Sequence, residues 1–374
     1  RRAFLKIPCA AVAGTLTGRL ARPVTARAVQ AHRRFVRRAQ FFKKLDHLRV
    51  ECRLCPRHCV VADQETGWCG NRSNDKGIYY TEVFGRPVTV HNDPIEKKPL
   101  FHFKPATNAL SLSTAGCNFE CQFCQNWEIS QFRPEQVPAR YGFVSPEQLV
   151  EVARRRGSES IAFTYGEPVV FYEYMLATAT ASKSAGIPGV MISNGYINRE
   201  PMLKLAPQLD AIKIDLKGFT DDFYRDYCGG TIEPVKQTIR RVHALGKWLE
   251  IVYLVVPTLN DDLDKIREMC DWLLRAIGPD VPLHFTRFHP DYQLLNLPPT
   301  PIATLERARE WGLDAGLHFV YLGNVPGHPA GHTFCPDCGT IPVRRGLLRL
   351  LSCDLTPDGR CPHCGRKIAG VGWT

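Results

Sequence analysis

Fifteen cysteines in 374 residues are the side chains most able to do chemistry, and their spacing says which chemistry. Twelve fall into three groups: Cys52, Cys55, Cys59 and Cys69; Cys117, Cys121 and Cys124; and Cys335, Cys338, Cys353, Cys361 and Cys364. Cys9, Cys228 and Cys270 stand apart, the last two as ordinary residues of helix or loop. A disulfide framework belongs to short secreted domains. Short C-x2-C and C-x3-C spacings in a chain of enzyme length suit metal centres instead.

The central group, Gly116-Cys117-Asn118-Phe119-Glu120-Cys121-Gln122-Phe123-Cys124, puts three thiolates on one loop with no fourth nearby. A structural zinc site closes with four ligands, whereas three leave one iron of a [4Fe–4S] cluster free for a substrate or cofactor. The C-terminal group contains two C-P-x-C-G knuckles, Cys335/Cys338 and Cys361/Cys364, 22 residues apart. That spacing is a tetrahedral zinc signature, with Cys353 and His363 left over; rubredoxin-like iron is the alternative. Cys52, Cys55, Cys59 and Cys69 satisfy either zinc, the first expectation, or an auxiliary [4Fe–4S] cluster.

The central loop follows the first of a series of alternating strands and helices. Strands are expected over 109–114, 160–164, 189–193, 211–215, 249–256 and 283–288, and helices over 146–156, 172–185, 200–206, 231–245 and 263–277. A further helix, 304–315, precedes a strand over 318–322. Six βα units argue for a parallel, barrel-like sheet with its working residues at the strands' C-terminal ends. The chain then divides into a basic arm (1–31), a four-cysteine module (32–105), the αβ core (106–325) and a ribbon-like tail (326–374). Residues 29–49 read as a basic amphipathic linker helix. No run of 18 apolar residues suggests a membrane span.

The net charge of +11 is not spread evenly. Residues 1–50 hold 13 of the 48 Lys+Arg and one of the 37 Asp+Glu, leaving 35 against 36 for the rest. The basicity belongs to the arm, not to a nucleic-acid-binding body.

The Cys117–Cys124 loop, with Phe123 before its last cysteine, resembles the signature of the radical S-adenosylmethionine (SAM) superfamily. The resemblance implies a partial (βα)6 barrel that binds a [4Fe–4S] cluster and SAM. It also assigns SAM contacts to Gly166 and Glu167 of Tyr165-Gly166-Glu167-Pro168, and to Ser193 and Asn194 at the third strand's end. Tyr165 departs from the superfamily's first glycine there. Asp215-Leu216-Lys217 resembles the D-L-K of the glycyl-radical-enzyme activases, which implies Asp215 in a cation site beside the SAM carboxylate. His289 falls near the activases' histidine. Residues 52–374 are most similar to the radical SAM member of the AmmeMemoRadiSam system, through the Cys52–Cys69 module, Asp93-Pro94-Ile95-Glu96-Lys97-Lys98-Pro99-Leu100, and Asn194-Gly195-Tyr196 among others. That family usually has T-Y-N-E-P where this chain has Gly166.

The chemistry so implied is reductive cleavage of SAM to a 5′-deoxyadenosyl radical that abstracts hydrogen, on a protein substrate or a small molecule. The implied partners are a low-potential donor such as flavodoxin or ferredoxin, and Memo-like and AMMECR-like proteins. The competing reading is a non-catalytic zinc or iron–sulfur nucleic-acid-binding protein that uses ribbon and arm together. The start Arg1-Arg2-Ala3-Phe4-Leu5-Lys6 resembles a twin-arginine export signal. SAM and its electron donors argue for the cytoplasm, the location expected here.

Overall fold

The computed structural model describes residues 33–346 and 348–373. The expected arm, its signal-like start and Cys9 lie outside the described residues. Phe35–Thr374 form one unit.

Six short strands build the N-terminal module: β1 (Arg37–Arg38), β2 (Phe42–Lys44), β3 (Val50–Cys52), β4 (Val60–Val61), β5 (Arg72–Asp75) and β6 (Ile78–Thr81). They pair antiparallel as β1-β6-β5 and β2-β3-β4. The helix expected over 29–49 is therefore absent from its described part, 33–49, apart from its first residue. Phe35 and Ala39 are buried, Arg37 and Arg38 pair with Thr81 and Tyr80, and Phe41, His47 and Leu48 have positive φ. Left-handed residues interrupt a helix, and tertiary pairing outweighs a weak helical pattern.

The core is an eight-stranded sheet in the order β14-β13-β12-β11-β10-β9-β8-β7. Its strands are β7 (Thr89–Pro94), β8 (Asn108–Ser113), β9 (Ser160–Phe163), β10 (Gly189–Ser193), β11 (Ala211–Asp215), β12 (Trp248–Val255), β13 (Leu283–Arg287) and β14 (Val320–Gly323). Every neighbouring pair from β8 to β14 is parallel, with a helix in each crossover. This is the parallel, barrel-like sheet with six βα units that the alternation predicts, left open as the resemblance implies. β9 and β10 are buried throughout, as strands covered on both faces must be. β7 runs antiparallel to β8 and caps that edge, so the core sheet starts at Thr89 rather than at 106.

After β7 the chain passes beneath the sheet and closes its floor. The buried Glu250 carboxylate on β12 accepts from the Phe101 and His102 amides (3.0 and 2.9 Å), from Trp248 Nε1 (3.0 Å) and from His284 (2.7 Å). The C-terminal tail, with the hairpin β15 (Val343–Arg345) and β16 (Leu350–Cys353), docks on the same segment. Val371 N donates to His102 O at 2.8 Å, and buried Arg345 reaches Phe101 O at 2.7 Å. With the floor closed, the barrel opens at the C-terminal ends of its strands.

Candidate active site

A cavity of about 760 Å³ lies at that open end. It is lined by Cys117, Cys121 and Cys124 together with Phe123, Gly166, Glu167, Ser193, Asn194, Asp215, Lys217 and His289. The three-cysteine loop and residues from four later strand ends thus meet around one space. Exposed His289 stands at its mouth.

The loop is held from several sides. Asn118 Nδ2 donates to Tyr196 O at 2.9 Å, while its Oδ1 accepts from Asn194 Nδ2 at 2.8 Å. Glu120 N and Gln122 N donate to Cys228 O and Tyr227 O, both at 3.0 Å. Phe119 N points at Cys117 Sγ (3.3 Å), and Ser130 Oγ lies 3.2 Å from Cys124 Sγ. Burial, and then Glu167, push the Cys117 thiol well up, and burial and Cys121 push Cys124 up. For Cys121 the neighbouring Cys228 thiol comes first and burial second. Buried sulfurs of this kind become thiolates only beside compensating positive charge.

Glu167 is buried at the start of the short helical turn Pro168–Phe171. Its Oε1 accepts from Ser193 Oγ (2.7 Å) and Val169 N (3.1 Å), and its Oε2 from Asn194 N (2.8 Å). Burial still pushes it up to about 7 against those three donors. Ser193 and Asn194, expected as SAM contacts, line the cavity, and their side chains hydrogen-bond protein neighbours: Ser193 Oγ donates to Glu167 and accepts from Gly195 N, and Asn194 donates to Asn118 and accepts from Tyr196 N.

Asp215 is ion-paired on both oxygens, to Lys213 through one and to Lys217 (3.3 Å) through the other. Burial alone would raise Asp215, but Lys213 and then Lys217 hold it below the usual carboxylate range. The positive charge beside Asp215 thus comes from the chain itself. Tyr165, at φ 67°, turns its hydroxyl onto Asp93, whose other partners are Lys98 (2.6 Å) and Lys97 (3.1 Å). Burial lowers Lys98 to about 8 despite Asp93. This gives the Asp93–Leu100 motif a place in the cavity wall.

Sequence reasoning missed Lys213, Lys98, Asn118 and Cys228. Lys213 could have been found: it lies two residues before Asp215 on a strand, so both face the barrel interior. A lysine inside an otherwise apolar strand is the signal.

The Radical SAM superfamily matches residues 111–273. Over 335 residues, 89% of this chain and 99% of the relative, the chain is 46% identical to an uncharacterized protein of Methanocaldococcus jannaschii. It is 24% identical to the pyruvate formate-lyase-activating enzyme of Clostridium pasteurianum over 167 residues, 42% of this chain and 65% of that enzyme. With the (2S)-3-sulfopropanediol dehydratase activating enzyme of Klebsiella oxytoca it shares 23% identity over 141 residues, 36% of this chain and 44% of the relative. The chain belongs to the radical SAM superfamily. Radical SAM enzymes work with SAM and an iron–sulfur cluster, and the donor set fits such a pair. Three soft sulfurs face a roomy cavity whose wall also carries the Glu167 and Asp215 carboxylates and the Lys213 and Lys217 ammonium groups.

The four ribbon sulfurs of Cys335, Cys338, Cys361 and Cys364 form a separate group, all within 4.8 Å of one another. Cys353, on β16, stands outside it. Among the described residues no helix is long and apolar enough to cross a membrane.

Proposed function

We propose that this chain is an activase-like radical SAM oxidoreductase, with a [4Fe–4S] cluster held by Cys117, Cys121 and Cys124. The observation that carries this reading is the single cavity joining those sulfurs to Glu167, Asp215 and Lys217. When bound, the cluster supplies the reductive cleavage of SAM to a 5′-deoxyadenosyl radical that takes hydrogen from the substrate. The protein's part is to place and shield. Asn118 and Ser130 fix the loop, and the Phe119 amide and Lys217 put positive charge near the sulfurs. Glu167, held in line by Ser193 and Asn194, would take the SAM amino group. Lys213 and Lys217 offer two ammonium groups against one carboxylate, a net positive wall for the SAM carboxylate. Phe101, Ile192, Val252 and Leu254 line the rest of the cavity and exclude water.

The likeness to activating enzymes supports a partner protein as substrate; the resemblance to the AmmeMemoRadiSam system adds Memo-like and AMMECR-like proteins as partners, with flavodoxin or ferredoxin as donor. The need for SAM and such donors supports the cytoplasm as the working location. The ribbon sulfurs are spaced for a structural zinc. The test is anaerobic reconstitution followed by dithionite and SAM. 5′-Deoxyadenosine is expected from wild type and not from Cys117→Ala, and equal yields from the two would overturn the reading.

A further inference from the structure

Cys52, Cys55, Cys59 and Cys69 line one enclosed cavity with Arg72 and Tyr79. Their spacing bears on what they hold. Zinc bonded to four thiolates at about 2.3 Å draws the sulfurs to about 3.8 Å of one another. The ribbon meets that, with Cys335–Cys364 at 3.5 Å and Cys338–Cys361 at 3.7 Å. Among the described residues no other set of three or more Cys, His, Asp or Glu ligand atoms is gathered within 4.8 Å. The Cys52 set is therefore spread, like the Cys117 set, although its four side chains face a common space. An iron–sulfur cube calls for that spread, because each thiolate binds a different iron. The cavity wall also carries charge. Arg72 is 1% exposed, its outer nitrogen pairs with Glu173, and its Nε–H has no acceptor in the protein. A buried N–H without a partner suits an anionic, sulfur-rich centre.

Position is the second argument. The turn after Cys69 packs directly on the backbone that leads into Cys117. A Cβ on Gly116 would come within 2.6 Å of both Cys69 O and Asn71 Oδ1. Asn71 Nδ2 donates to Ala115 O at 2.5 Å, and Arg57 Nε to Asn118 O at 2.6 Å. Asn118 itself lines the cavity of the Cys52 set. Cys59 also borders an open surface pocket formed with Arg57, Trp68 and Arg225. The four-cysteine site thus adjoins both an open surface pocket and the Cys117 loop.

We propose that Cys52, Cys55, Cys59 and Cys69 hold a second [4Fe–4S] cluster, in place of the zinc first expected, and that it relays electrons to the Cys117 site. One electron from a low-potential donor protein reduces it, and the donor leaves oxidised by one electron. The same electron passes to the Cys117 site and restores the oxidised form; no atoms are transferred. The metal assignment stands on this cavity alone, whereas the relay rests on the reading of the Cys117 site given above.

The experiment uses the full chain, reconstituted anaerobically with iron and sulfide, as wild type, as the triple variant C117A/C121A/C124A and as the double variant C52A/C55A. Iron, sulfide and zinc are counted, and paramagnetic resonance is recorded after dithionite. The expected counts are about eight irons in wild type and about four in each variant, with a reduced-cluster signal from the triple variant. Four irons and two zincs in wild type, or zinc without iron in the triple variant, would overturn the assignment. Because wild type alone decides the metal, a variant that fails to fold leaves the test intact. For the relay, reduced flavodoxin is mixed with wild type and with C52A/C55A. Reduction of the Cys117 cluster is expected to slow at least tenfold in the variant while dithionite reduces both alike; equal rates with flavodoxin would sink the relay. Correct iron counts without 5′-deoxyadenosine would count against the proposed function and leave the second cluster standing.

Discussion

Asp215→Asn should be among the most costly single substitutions in the cavity wall. The change keeps the side-chain shape and deletes the charge that both Lys213 and Lys217 pair with. The Lys213 side chain is only 5% exposed, so its ammonium is left buried without an anion. Breaking a buried pair from one side costs about 3–5 kcal/mol. At about 2 °C per kcal/mol for a chain of this size, the melting temperature should fall by about 6–10 °C. Lys213 has one way out, which is to lose its proton. Burial already lowers its pKa, and Asp215 is the main charge holding it up. A lysine whose folded pKa lies below its unfolded value of about 10.4 makes the protein gain stability as pH rises between the two. The deficit of the Asn variant must therefore shrink as the pH is raised. Lys213→Met removes the buried cation and leaves Asp215 paired with Lys217, so its cost is smaller, about 1–3 kcal/mol. The double variant leaves only Lys217, whose side chain is 21% exposed, without its anion and should return to within about 2 kcal/mol of wild type. Anaerobic thermal melts of the four proteins at pH 7 and pH 9 read all of this. Single effects that add to within about 0.5 kcal/mol, or a deficit that does not change with pH, would refute the reasoning.

Glu167→Gln should change the pH profile of stability. Burial holds the acid at about 7 against an ordinary 4.5, so the fold keeps a proton that the unfolded chain has lost. Wild type prepared without iron should lose about 3 kcal/mol as pH rises across that interval and stay level above it. The Gln variant should show no such fall, and melts from pH 4.5 to 8 separate the two; matching profiles would contradict the buried-acid account. Gly116→Ala forces a β-carbon into Cys69 O at φ 91°, at a backbone cost of about 1–2 kcal/mol before the overlap is counted. Iron at the Cys117 site should drop by at least about half, and wild-type iron content would argue against the close packing of the two cysteine sets. Cys361→Ser should remove about one metal ion per chain and open the tail to trypsin at Arg344 or Arg345, as read by metal analysis and mass spectrometry. A tail as resistant as that of wild type would show that its docking on His102 and Phe101 suffices without metal.

The alternating core was legible because its strands are buried on both faces and read as short apolar runs between amphipathic helices. The expected strand 160–164 is Ser160–Phe163, and the expected helix 263–277 is Leu263–Ile277 without change. β7 was not legible for the opposite reason. Thr-Val-His-Asn-Asp-Pro has neither an apolar run nor an alternation and ends in proline, yet it is a strand because its backbone pairs with β8 from Thr89↔Ser113 to Pro94↔Asn108. An edge strand draws its order from its neighbour, and a local pattern does not record the neighbour. The same holds for β1 and β2, where the charges of a basic linker helix turned out to decorate two short strand edges.

In the site, residue type was legible and direction was not. Ser193 and Asn194 lie at the end of β10 and line the cavity, but a sequence does not say whether a side chain faces a ligand or its neighbours. Here Ser193 Oγ serves Glu167, and Asn194 clamps the cysteine loop through Asn118. Removing either should therefore act through a neighbour. Ser193→Ala leaves Oε1 of Glu167 with the Val169 amide alone, one donor fewer for the ionised acid, so its pKa should rise above about 7. Asn194→Ala spares the backbone amide that holds Oε2 and removes one of the two side-chain hydrogen bonds of Asn118, so the loop should loosen while the acid stays as it is. The two neighbouring substitutions are then told apart by what they move. Ser193→Ala should shift the pH profile of the melt at unchanged iron content, and Asn194→Ala should lower iron retention at an unchanged profile. If both moved the same readout, the division of labour between positioning the acid and positioning the sulfurs would be wrong.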